Sequence, residues 1–163
     1  MRFALFVLVA VLVVIAFQVA YYAPRLPDTV ASHFGAGGQP DGWSSKTELF
    51  VVYGVVILVT VTPFLLLPWL LPKIPDDLIN MPKKDYWLAP ERREETFRII
   101  TVYLLWMGIG TLMMLAHVMG LAMAANLEPE PRLAGSFWWS FGLYMAFVVA
   151  WTVTFVRRFY RTE

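Results

Sequence analysis

The sequence predicts an all-α integral membrane protein: one domain over residues 1–163, built as a four-helix bundle with both termini cytoplasmic and an ordered outer loop between the first two helices. Three observations carry this expectation. Four runs, Phe3–Tyr22, Leu49–Leu71, Ile99–Ala125 and Leu133–Val156, contain no Asp, Glu, Lys or Arg, and each reaches the roughly 20 residues that a helix needs to cross about 30 Å of hydrocarbon. Hydrophobic residues make up 59% of only 163, which is more than the core of a soluble domain of this size would hide. The 13 Lys and Arg residues divide ten to three between alternate connections. Continuous apolarity without in-and-out alternation argues against barrel strands.

The expected helices cover about residues 3–22, 46–71, 90–125 and 133–157. The first follows Arg2 and is longer than the core of a secretory signal. Gln18 and Tyr21 stand where a cleavage site would need small residues, so it reads as an uncleaved anchor. The outer loop, 23–45, holds Pro24, Pro27 and Pro40 and four glycines at 35, 37, 38 and 42. Proline fixes φ and glycine supplies positive φ, which together specify tight turns forming a cap on the bundle.

Ser45-Lys46-Thr47-Glu48 before Leu49 fits a capping box that starts the second helix. Pro63 and Pro68 inside that helix each delete one intrahelical bond, with Thr60 and Thr62 placed to re-satisfy freed carbonyls. In the cytoplasmic loop, 72–89, Pro72, Pro75 and Pro82 forbid a continuous helix. Tyr86 and Trp87 are expected there at headgroup level. Pro90 suits the first position of the third helix, and Glu91, Glu94 and Glu95 follow it where the helix dipole favours acids. Small residues at every fourth place, Ala116, Gly120 and Ala124 in the third helix and Gly142, Ala146 and Ala150 in the fourth, predict that these two pack together.

Orientation follows from the charges. Arg2, six cations of the second loop and its helix start (Lys73, Lys83, Lys84, Arg92, Arg93 and Arg98), and Arg157, Arg158 and Arg161 share one side. Only Arg25, Lys46 and Arg132 lie on the other. Cytoplasmic loops retain Lys and Arg, so the termini are expected inside. Aromatic residues mark the two boundaries: Tyr21, Tyr22, Trp43, Trp138 and Trp139 outside, and Trp69, Tyr86, Trp87, Phe159 and Tyr160 inside.

The chemistry-bearing residues are few. With no cysteine, disulfides, thiolate catalysis and Cys-ligated metals are excluded together. The net charge of +1 says nothing about partners, and the basic residues, juxtamembrane and interleaved with acids, give no sign of a nucleic-acid surface. No nucleophile–base pair, ligand cluster or intramembrane acid appears, so neither an enzyme nor a cofactor or metal site is expected. His33, with Asp28, Asp41 and Glu48 in the same loop region, admits a loop-ordering hydrogen bond, recognition of a partner, or a divalent cation. His117, the one histidine within a span, admits an interhelical hydrogen bond, proton-linked conduction or cofactor ligation.

The loop carries a resemblance. Leu26-Pro27-Asp28-Thr29-Val30-Ala31-Ser32-His33-Phe34 followed by Gly38-Gln39-Pro40-Asp41-Gly42-Trp43 and Lys46, between two apolar helices, resembles the bacterial domain of unknown function at the N-terminus of SdpI-like immunity proteins. The resemblance covers about Phe3–Leu71 and makes Pro27, Asp28, His33, Phe34, Gly38, Pro40, Asp41, Gly42 and Trp43 the candidate residues for partner binding or loop ordering. Asn80-Met81-Pro82-Lys83-Lys84-Asp85-Tyr86-Trp87-Leu88-Ala89-Pro90-Glu91-Arg92-Arg93 is similar to a segment in short proteins of that group, which adds Asn80, Pro82, Tyr86, Trp87, Pro90, Glu91, Arg92 and Arg93 as a cytoplasmic motif. What the resemblance implies is a short four-helix member in the bacterial inner membrane, non-enzymatic, sensing or conferring immunity through residues 26–46. Its expected partners are the lipid bilayer and a protein or peptide at the membrane, as a homo- or hetero-oligomer. The alternative is an accessory structural subunit of a larger membrane complex.

Overall fold

The computed structural model describes residues 1–162. Four long helices, α1 (Arg2–Tyr22), α2 (Lys46–Leu70), α4 (Arg93–Ala125) and α5 (Ser136–Tyr160), are each long and apolar enough to cross a membrane. The expectation of a purely α chain fails between α1 and α2, where Thr29–Phe34 (β1) and Pro40–Ser45 (β2) pair as an antiparallel hairpin. Between α2 and α4 the prolines leave only two short 3-10 turns, Leu71–Lys73 and Asp76–Leu78, and a one-turn helix, α3 (Lys84–Trp87). Pro72 is the second residue of the first turn and Pro75 caps the second, both positions where a missing N–H leaves no helical bond unmade.

The longest helix, α4, is the hub, packing against α1, α2 and α5. Three glycines make this possible. A Cβ on Gly108 would lie 2.5 Å from the Phe64 ring of α2, one on Gly110 2.4 Å from Phe147 of α5, and one on Gly120 2.6 Å from the Gln18 amide nitrogen of α1. Each missing side chain is a notch that seats a residue of a different neighbour, the close approach by which helices associate in lipid. Around these notches Ala4, Leu8, Val61, Leu105, Ile109 and Leu112 form the main buried cluster.

The small-residue stripes therefore pack differently from expectation. Ala116 is buried with Ile15 and Tyr53, so the Ala116–Gly120 face of α4 turns to α1 and α2 and away from α5. In α5 the face that meets α4 is aromatic: the Tyr144 hydroxyl pairs with Thr111 at 2.9 Å, and the Trp151 indole donates to the Tyr103 carbonyl at 2.9 Å. Gly142, Ala146 and Ala150 are left exposed on the opposite side. Large rings in glycine notches bury more surface than facing stripes of alanine, which accounts for the choice.

The capping box is formed as the sequence predicts, with the Glu48 N–H donating to the Ser45 hydroxyl at 3.1 Å and the Ser45 N–H to the Glu48 carboxylate at 2.8 Å. Helix α2 runs through Pro63 and Pro68 without a break. The Thr62 hydroxyl donates to the Leu58 carbonyl at 2.7 Å, one residue short of the Val59 carbonyl that Pro63 leaves free. Helix α4 begins at Arg93, not Pro90: Pro90, Glu91 and Arg92 form a separate turn before it, in which Ala89 accepts from the Arg92 and Arg93 amides, and Arg92 departs from helical φ at −115°. Helix α5 lies three residues later than expected at each end, from Ser136 to Tyr160.

At the end of the bundle that holds the start of α1 and the last turn of α5, Trp87 is not a headgroup residue. It is 5% exposed, its indole N–H donates to the Phe159 carbonyl at 2.9 Å, and Thr96 donates to its carbonyl at 2.7 Å. Phe159, expected at the same boundary, is buried against it at 2%. One indole thus joins the α2–α4 connection to the last turn of α5. Arg93 fixes the rest of that connection by binding Asp76 at 3.1 Å and the Pro72 and Ile74 carbonyls at 3.1 and 3.3 Å.

Candidate functional site at the hairpin end

The hairpin sits across the other end of the bundle, over the ends of α1 and α4 and the start of α2. Val30 and Ala31 are fully buried, and Val30 joins Leu26, Leu49 and Met123 in a second core cluster. The register slips twice: Ala31 pairs with Trp43 and His33 with Gly42, which bulges Ser32 on β1, and Phe34 then pairs with Pro40, which bulges Asp41 on β2. Bulges re-aim side chains at strand ends, and here they bring the Asp41 carboxylate onto His33 Nδ1 as a hydrogen-bonded pair. Gly42 stands opposite, where a Cβ would come within 2.9 Å of the His33 Cβ. The His33 and Asp41 side chains are 74% and 54% exposed, so the pair closes the hairpin rim and adds little stability.

The other sequence-selected residues divide. Asp28 lies at the opposite end of the hairpin, 3.5 Å from Lys46, and Glu48 is held in the capping box. His33 and Asp41 therefore have neither carboxylate beside them, and no group of three metal-capable side chains occurs among the described residues. Pro27, Asp28, Asp41 and Trp43 are exposed, whereas Phe34, Pro40 and Gly42 are half-buried. Gly38 is buried at φ +77°, and a Cβ there would meet the Leu133 carbonyl at 2.7 Å. Only glycine fits both demands. Its carbonyl accepts from the Leu133 amide at 2.9 Å, and so ties the hairpin tip to the α4–α5 connection.

Asn126, just past the end of α4, is the second tie. It is 5% exposed, accepts from the Ala31 amide at 2.6 Å and donates to the Ala31 carbonyl at 2.9 Å, serving β1 as a neighbouring strand would. The same amide donates to the Ala122 carbonyl and closes the end of α4. An Asn directly after an apolar run is the only signal in the sequence, and it does not reveal a partner 95 residues away.

Between these two ties lies a cleft of about 730 Å³. His33, Phe34 and the glycine turn 35–38 form one wall, Arg132 and Leu133 the rim, Val118, Met119 and Ala122 of α4 the floor, and Phe137 and Trp138 of α5 the far side. Backbone amides, an imidazole and a guanidinium over an apolar floor suit an amphiphilic guest; the volume is that of an ordinary ligand pocket.

The residues expected to form a cytoplasmic motif are remote from this cleft. Tyr86, with Arg92 4.1 Å over its ring, and Trp87, Pro90, Glu91 and Arg93 belong to the opposite end, together with Pro82 and an exposed Asn80. His117 lines neither region. It lies on an exposed face of α4, in a groove against Phe6, Ala10 and Val14 of α1. The interhelical hydrogen bond expected of it is made by Gln18 instead, which donates to the Ala116 carbonyl at 2.9 Å and accepts from the Tyr53 hydroxyl at 3.2 Å. Gly120 makes room for that amide.

Residues 4–57 match the family described as a domain of unknown function, DUF1648. The matched stretch contains most of α1, the whole hairpin and the first half of α2, so the candidate residues from Pro27 to Trp43 lie within it, while α4 and α5 lie outside. The chain is also similar to an uncharacterized protein of Archaeoglobus fulgidus, at 52% identity over 31 residues, 19% of this chain and 17% of that one. The chain therefore spans only a small part of that relative's length. No solved structure matches it.

Proposed function

We propose that this chain is a non-enzymatic bacterial inner-membrane protein of the SdpI-like immunity type, with both termini cytoplasmic, whose hairpin end takes up a membrane-active peptide arriving from outside. The observation that carries this reading is the cleft between the glycine turn and the α4–α5 connection. It has the polar rim and apolar floor that an amphiphilic peptide presents in reverse. An occupant wedged there works against the Leu133–Gly38 bond and the first turn of α5. Helix α5 is the helix least embedded in the bundle, with Phe159 its one buried residue. A shift at its start is relayed along α5 to the Trp87 contact at the far end. His33 and Asp41 supply the exposed contact for the peptide at the rim.

One observation favours a second reading, an accessory subunit of a larger complex: α5 leaves Gly142, Ala146 and Ala150 uncovered, the kind of surface on which another membrane helix packs. A photo-crosslinking residue at Trp138, in cells exposed to their own secreted peptides, tests both. A peptide adduct that disappears with His33→Ala at unchanged protein level supports the sensor. An adduct to another membrane protein, lost with Gly142→Leu, supports the accessory role, and labelling by lipid alone sinks both.

A further inference from the structure

We infer that the end of the bundle opposite the hairpin holds an anionic phospholipid, its phosphate bridged between Arg98 of α4 and Arg158 of α5. A groove of about 280 Å³ between these helices is lined by Arg98, Ile99, Val102, Tyr103 and Arg158. Arg98 is the last charge before the apolar run of α4, and Arg158 lies in the last turn of α5. Two guanidiniums on adjacent helices thus stand at one membrane level, with an apolar floor running from them into the bilayer.

Neither cation is neutralised inside the groove. Arg98 meets a carboxylate only at Glu95, 3.4 Å away along its own helix, in a pair whose side chains are 65% and 60% exposed, and such pairs are weak. Arg158 has no carboxylate within 4.0 Å among the described residues, and its guanidinium lies 4.8 Å from the Trp87 ring. That ring is fixed by its hydrogen bond to the Phe159 carbonyl, so Arg158 is held in place before any lipid arrives. The floor is equally rigid: Tyr103 is packed edge-on against Trp151 and Phe155. By contrast Arg93, at the same end, is consumed by Asp76 and backbone carbonyls. Guanidiniums bind phosphate in a planar, bidentate manner, and basic pockets between membrane helices are where anionic headgroups dock. The volume holds a phosphate and its glycerol, which leaves the acyl chains against Ile99 and Val102.

The test uses the full chain in nanodiscs of phosphatidylcholine carrying a minority of phosphatidylglycerol, with native mass spectrometry of the lipids retained. Phosphatidylglycerol is expected to be enriched over its bulk share. Arg98→Gln, an exposed residue with no packing role, lowers that enrichment about five-fold, the effect of one juxtamembrane cation; Arg158→Gln does the same. Arg157→Gln with Arg161→Gln removes two charges outside the groove and leaves the enrichment in place. The inference is overturned if this control costs as much as the groove variants, if the wild type shows no enrichment, or if inorganic phosphate added in excess displaces the lipid and so assigns the site to a free anion.

Discussion

The glycines of α4 show how a missing side chain organises a membrane bundle. Without a hydrophobic drive between helices already in lipid, close contact must come from shape, and Gly108, Gly110 and Gly120 each admit a specific neighbour. Gly108→Ala forces a methyl group onto the Phe64 ring, and overpacking of this kind costs about 1–3 kcal/mol. Gly142→Ala meets nothing within 4 Å and leaves stability unchanged. Unfolding of both variants in a detergent series checks the contrast. Asn126→Ala strands both backbone groups of Ala31, each worth about 1–3 kcal/mol when buried unpaired. Hydrogen exchange at the Ala31 amide should accelerate strongly, while His33→Ala, which removes only an exposed pair, should move stability by less than about 1 kcal/mol.

At the scale of elements, the hairpin is tied by a few hydrogen bonds to the end of α4 and the α4–α5 connection, and the α2–α4 connection by one to the last turn of α5, in each case segments that follow much later in the chain. The hairpin tip depends on Gly38, whose conformation and contact with Leu133 both forbid a side chain. Gly38→Ala places a non-glycine residue in the left-handed region, at about 1–2 kcal/mol, before the clash is counted. The expected result is faster exchange in residues 34–42 and 132–136, with α1 and α2 unaffected. The opposite connection depends on Trp87. Trp87→Phe keeps the ring but deletes the donor to Phe159, so the last turn of α5 should fray and become open to protease after Arg157 and Arg158, without loss of the bundle.

For the whole molecule, the segments richest in cations gather at one end: Met1, Pro72, Pro90 and Arg93 line a common groove there, and Trp87 meets Phe159. The hairpin and residues 126–135 gather at the other. Because the chain lacks cysteine, single substitutions report orientation directly. Gly37→Cys, in open space at the hairpin tip, should react with a membrane-impermeant maleimide in intact cells. Asn80→Cys, exposed at the far end, should react only after the membrane is opened. The reverse pattern would invert the orientation proposed from the charges.

The four apolar helices, the segregation of charge to the two ends, the capping box at Ser45 and the proline-broken connection after α2 are all legible along the chain. Hydropathy, charge and local hydrogen bonding are properties of single residues or near neighbours, so they can be read along a line. The fold, by contrast, set which face of each helix is inside, because membrane helices are apolar on every side and packing is settled by shape between partners. It turned the stripe at Ala116 and Gly120 towards α1, buried Trp87, gave the interhelical hydrogen bond to Gln18 in place of His117, and made Asn126 a surrogate strand for the hairpin. Each of these joins residues far apart in the chain, and each depends on a contact that no local pattern encodes.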